Sequence, residues 1–165
     1  MVIFGPFDSS VLSQQQQDSE IVVPLILGSN TYRVRVTGSY YGQQLLGDRV
    51  ETAIIHSGLG YLKAPSDELS NLVKYIEAQY GTVRECSGRF CLDCSALNRT
   101  DALAVTVVDF NLYVPFSDIW EESGDTCSLK VVANEEKIWE LGTPFLEHYV
   151  TVINEDAQTV TFYGD

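Results

Sequence analysis

Apolar residues in this 165-residue chain gather in runs of strand length, and turn-forming residues cut each run off. Ile21-Val22-Val23-Pro24-Leu25-Ile26-Leu27 ends at Gly28-Ser29-Asn30. Residues 31–38 alternate polar and apolar side chains, as a strand with one buried face does. Ala53-Ile54-Ile55 stops at Ser57-Gly58, and 102–110 is one β-branched, apolar run. Residues 149–153 and 159–163 flank the turn Asn154-Glu155-Asp156. Only one segment has clear helical spacing. Leu69, Leu72, Val73 and Ile76 follow the cap and acidic first turn Pro65-Ser66-Asp67-Glu68, and Gly81 ends the run. Shorter helical turns are predicted at 117–121 and 143–148. The polar tract 13–18 reads as a surface loop, and Tyr40-Tyr41 as an exposed loop pair. Trp120 and Trp139 read as core or rim aromatics. The pattern predicts a single domain over 1–165, all-β with short helices.

Charge narrows the partners. Ten Lys+Arg against 23 Asp+Glu give a net charge of -13. Such a surface repels phosphate backbones and anionic lipid, so neither nucleic acid nor membrane is an expected partner. No run of 18 apolar residues is present, so no transmembrane helix is expected. The amino-terminal residues carry no basic leader, and any secretory signal is expected upstream or not at all.

The four cysteines are Cys86, Cys91, Cys94 and Cys127. Cys91-x-x-Cys94 has the spacing of half a zinc site, but no second Cys or His pair accompanies it. His56 and His148 are the only histidines and have no local partner histidine or cysteine. Neither a metal nor a cofactor is therefore expected. An even count without metal context points to two disulfides and an oxidising compartment, the secretory lumen or the exterior. Asn98-Arg99-Thr100 is an N-glycosylation sequon, in keeping with that compartment.

Several segments carry a resemblance. Leu141-Gly142-Thr143-Pro144-Phe145-Leu146 resembles the closing motif of pepsin-like aspartic proteases, leucine-glycine-x-x-phenylalanine-leucine before a strand that opens on an aromatic. Tyr149-Val150-Thr151-Val152-Ile153 supplies that strand, and Val160-Thr161-Phe162 resembles the family's last one. Ile3-Phe4-Gly5 with Asp8 resembles the segment that opens the second lobe. His56-Ser57-Gly58-Leu59-Gly60-Tyr61-Leu62, followed by Ala64-Pro65 and a helix, sits where the second active-site loop belongs. Cys94-Ser95, Tyr113-Val114-Pro115 and Cys127-Ser128-Leu129 resemble the second-lobe disulfide region. These matches run through the chain in family order. The resemblance implies a single carboxy-terminal lobe of the pepsin-like fold, with Cys94 bonded to Cys127 and Cys86 to Cys91. It also implies a first lobe supplied from elsewhere, upstream or on another chain.

The family's loop reads aspartate, serine or threonine, glycine, serine or threonine. Two such carboxylates, one per lobe, share a proton and activate the water between them. Here His56 stands in the aspartate position, Ser57 and Gly58 are kept, and Leu59 replaces the supporting hydroxyl. Thr143 stands where the family usually has another aspartate. An imidazole is cationic at acidic pH and cannot share a proton as a carboxylate does. The resemblance therefore implies a degenerate loop without a catalytic residue, in an inactive protease-like lobe that works by binding. Expected partners are a separate first-lobe chain, a second copy, another protein of an assembly, or an extended peptide. The alternative is half of a two-chain or histidine-aspartate endopeptidase, completed by a first lobe that brings its own aspartate. The plainer alternative for His56 is that it fills a turn and hydrogen-bonds nearby backbone.

Overall fold

The computed structural model describes residues 1–97 and 101–164. The Asn98 sequon lies outside the described residues. Strand β1 (Val2–Phe4) and helix α1 (Gln14–Asp18) precede β2 (Ile21–Pro24), β3 (Arg33–Val36), β4 (Gly38–Tyr41) and β5 (Gln44–Gly47). Then come β6 (Glu51–Ile55), β7 (Leu62–Pro65) and the long helix α2 (Ser66–Tyr80). Strands β8 (Arg84–Cys86), β9 (Arg89–Asp93), β10 (Leu103–Val107), β11 (Phe110–Val114), β12 (Trp120–Ser123) and β13 (Thr126–Leu129) follow. The chain closes with β14 (Val131–Asn134), β15 (Ile138–Leu141), helix α3 (Thr143–Leu146), β16 (Tyr149–Asn154) and β17 (Thr159–Gly164).

These strands form four sheets, ordered β1-β16-β17-β2, β11-β10-β4-β5, β12-β13-β9-β8 and β14-β7-β15-β6-β3. One continuous core joins them, with Trp139, Tyr41, Phe145 and Phe162 among its largest buried side chains. Both tryptophans are buried. Tyr149 fastens two sheets. Its hydroxyl donates to the Tyr113 carbonyl and accepts from the Tyr113 amide, at 2.9 and 2.7 Å. Burial pushes its pKa up to about 12.

The disulfides join Cys86 to Cys91 and Cys94 to Cys127. Cys91 and Cys94 thus belong to different bridges. Bridge Cys94–Cys127 ties the start of a 3-10 turn to β13.

Several local expectations change. The tract 13–18 is helix α1, because Ser13 Oγ and Gln16 close a reciprocal capping box on its first turn. The run 102–110 is a hairpin rather than one strand. Val108 and Asp109, at φ 46° and 66°, form a two-residue turn, and Val107 pairs with Phe110 across it. Tyr40 and Tyr41 lie in β4, where alternation turns Tyr41 into the core. Its hydroxyl donates to Gln79 at 2.8 Å. Residues 117–121 divide between a 3-10 turn (Phe116–Ile119) and β12.

Candidate functional site: the loop after β6

Strand β6 buries Ala53 and Ile55 and ends at Ile55, and His56 is the next residue. It runs parallel to β15, which is also paired antiparallel with β7. The connection 56–61 must therefore cross over the end of β15. Three hydrogen bonds fix the crossing. His56 N donates to Leu141 O at 3.1 Å, and Leu59 N donates to His56 O at 3.1 Å. Thr143 N donates to Leu59 O at 2.8 Å. Thr143 Oγ1 adds a second donor to Leu59 O at 3.0 Å. Gly142 passes directly beneath, where a Cβ would run into the carbonyl oxygens of Tyr61 and Leu59. Residue 143 has a structural task here: it bolts the loop down.

The loop presents His56, Ser57, Gly58 and Gly60 to solvent, and Leu59 is half-buried. The His56 side chain is 48% exposed, and its Nδ1 lies 3.1 Å from Glu140 Oε1. An ionised carboxylate only accepts hydrogen bonds, so Nδ1 carries the proton in this contact. Glu140 is 15% exposed, and its other oxygen lies 3.6 Å from Lys63 Nζ. Asn134 Nδ2 donates to that same oxygen at 3.1 Å. One carboxylate thus holds three polar neighbours. Beside them Ile54, Asn134, Glu136 and Ile138 line a shallow groove of 520 Å³. On the other flank Ser57, Thr143, Leu146, Val2 and Phe4 line a second groove of 360 Å³.

Sequence reading locates the loop but misses Glu140, Lys63 and Asn134. A signal exists. Glu140 directly precedes Leu141-Gly142, and the parallel register sets it level with Ile54, two residues before His56. Lys63 pairs with Glu140 in the antiparallel register of β7 and β15. His148 belongs elsewhere, with its Nε2 2.9 Å from Asp118 Oδ2. Chemically, the loop offers an imidazole, a hydroxyl at Ser57 and backbone groups. The nearby Glu140 is committed to its three neighbours.

The family model for eukaryotic aspartyl protease matches residues 1–163. The solved structure of basic 7S globulin from soybean superposes on this chain with a TM-score of 0.80 at 13% identity. That match covers 94% of this chain and 45% of the globulin, so the chain spans about half the length of that relative. At such identity the match carries the fold alone: mostly β, few short helices, pepsin-like. No curated protein matches the sequence. Among the described residues no helix is long and apolar enough to cross a membrane. The two disulfides fit a secreted or lumenal protein. The chain belongs to the eukaryotic aspartyl protease family.

Proposed function

We propose that this chain is a carboxy-terminal lobe of the pepsin-like fold that has lost catalysis and works by binding protein or extended peptide. The observation that carries this reading is His56, held on Glu140 at the end of β6. A proton-sharing carboxylate is required at that point of a two-lobe protease, and an imidazole tied to an already shared carboxylate does not supply it. Leu59 and Thr143 agree, since neither offers the side chain that would support or replace a catalytic aspartate there.

The binding face follows from strand accounting. Among the described residues β1 pairs with β16 on one side only. Phe4 on β1 is 59% exposed, and the groove with Ser57 and Leu146 lies alongside. An open edge beside an apolar groove is a template for an added strand. A separate first lobe, a second copy or an extended peptide satisfies it. This reading puts the protein in the secretory lumen or outside the cell, with Asn98 as a glycan acceptor, and with no cofactor, nucleic acid or membrane partner.

A second reading rests on the same contact. Glu140 orients His56 as an acid orients a general base. If a first-lobe aspartate faced it, the pair would form a histidine-aspartate endopeptidase.

The test is the native mass of the assembly that holds this chain, purified from its source, with every polypeptide sequenced. The binding reading expects a partner polypeptide or a stable peptide complex, and no upstream or partner loop of the aspartate-threonine-glycine type. A lone chain with no measurable peptide affinity sinks it. A companion with an intact aspartate loop shifts the weight to the second reading.

A further inference from the structure

Helix α2 begins with a carboxylate in an unusual place. The Glu68 side chain is 2% exposed, although it sits in the first turn. Its Oε1 accepts from Ser39 Oγ on β4 at 2.5 Å and from Trp139 Nε1 on β15 at 3.4 Å. The fold makes room for it. A Cβ at Gly47 would sit 2.7 Å from Glu68 Cγ, Cδ and Oε1, so only glycine lets this side chain pass. The second oxygen, Oε2, is buried without a hydrogen-bond partner among the described residues, and Arg49 Nη2 stands 3.7 Å away.

Glu51, at the start of β6, faces it. Its side chain is 5% exposed and lies 2.8 Å from Arg49 Nη2. Arg49 is also held by Asp67, with Nη2 2.8 Å from Oδ1 and from Oδ2. Among the described residues, the charged groups acting on Glu51 are Glu68 from α2 and Arg49 from the connection before β6. Strand β3 sets Val36 opposite Glu51, β15 adds Trp139, and β4 adds Ser39. Two buried carboxylates therefore meet with one guanidinium, itself shared with a third carboxylate. Two like charges so placed cannot both ionise cheaply, and the orphaned oxygen of Glu68 lacks a donor.

We propose that Glu51 holds a proton against the facing Glu68 carboxylate, and that this contact is a pH-operated clasp between α2 and the sheet that carries the His56 loop. A proton on Glu51 turns it from an acceptor into a donor toward the Glu68 side chain. The clasp bears on the loop through both strands beneath it. Glu51 opens β6, and His56 directly follows its far end at Ile55. Trp139, which contacts Glu68, immediately precedes Glu140 on β15. None of this depends on whether the loop binds or cuts, because it concerns the chain's own packing.

Burial and the facing Glu68 raise the Glu51 pKa to about 7, well above its ordinary value of 4.5. A carboxyl with a raised folded-state pKa stabilises the fold below its unfolded value. It loses that contribution as pH rises through its folded value. The clasp is closed in acid and opens above neutrality, where the proton leaves to solvent and two buried anions face each other.

Carboxyl-carbon NMR titration of the wild-type protein tests this directly. The Glu51 resonance is expected to titrate with a midpoint near about 7. A midpoint in the ordinary glutamate range, about 4.3, overturns the proposal. Glu51→Gln supplies the donor permanently. Amide exchange in the first turn of α2, corrected for intrinsic base catalysis, is expected to quicken in wild type between about pH 6 and about pH 8 and to stay flat in the variant. An unchanged slope in Glu51→Gln assigns the pH effect to groups other than Glu51 and also overturns it.

Discussion

Gly142 shows how tightly single residues hold the loop. It lies where the 56–61 connection crosses β15, and any side chain there would run into the backbone carbonyls of Tyr61 and Leu59. Gly142→Ala is expected to cost about 3 kcal/mol or more, in the tail where a buried clash belongs. The urea midpoint would show it, and a loss under about 1 kcal/mol would mean the loop shifts freely. This glycine is legible in the Leu141-Gly142 motif, though its reason is not. Glu68 is not legible as a buried residue. Positions 68, 72 and 76 form one i, i+4 row on α2, and all three are buried. The helical period therefore turns Glu68 inward, while its charge reads as the mark of a solvated face. Only its partners across the sheets, Ser39, Glu51 and Trp139, make an inward carboxylate tolerable, and such contacts have no local sequence signature.

Among the elements, α2 anchors the core, and β1 is the outermost strand of its sheet among the described residues. Helix α2 packs Leu69, Leu72 and Ile76 against the sheets, and its apolar spacing alone is enough to predict it. Leu72 is fully buried, so Leu72→Ala is expected to cost about 2–5 kcal/mol in urea unfolding. A smaller cost would mean that the helix carries little of the core. Strand β1 bonds to β16 through Met1 O and Gly5 N. Alternation then turns the amides of Val2 and Phe4 toward the open edge. Phe4→Pro removes one outward donor and leaves the β16 ladder intact. It should weaken partner binding about tenfold with little change in thermal stability. Unchanged affinity would place the partner elsewhere. Strands are easy to see where alternation is clean. They are mis-divided where a turn lacks its usual residues: Val108-Asp109 makes a primed turn without glycine or asparagine, so 102–110 reads as one strand.

For the whole molecule, four sheets share one core, and two covalent clips tie the sheet that holds β8, β9 and β13. The Cys94–Cys127 bridge spans 33 residues, against five for Cys86–Cys91. The longer loop restricts the unfolded chain more. Replacing Cys94 and Cys127 together by serine should cost about 2–4 kcal/mol, and the Cys86–Cys91 pair less. Paired denaturant titrations decide, and the reverse order would contradict the chain-entropy reasoning. The family order of motifs makes this architecture readable in sequence. The position of Glu140 just before Leu141-Gly142 is readable there, but its contact with His56 is not, because that arises only when β15 lies beside β6.

With His56 in this loop, the protein is expected not to cut peptides. The measurement that bears on it most directly is the rate of peptide-bond cleavage by the natively purified assembly from about pH 3 to about pH 7, beside the same assembly carrying His56→Ala. No cleavage above buffer is expected in either, at every pH. Cleavage by the wild-type assembly that disappears with His56→Ala would contradict the claim and establish the imidazole as part of a working active site.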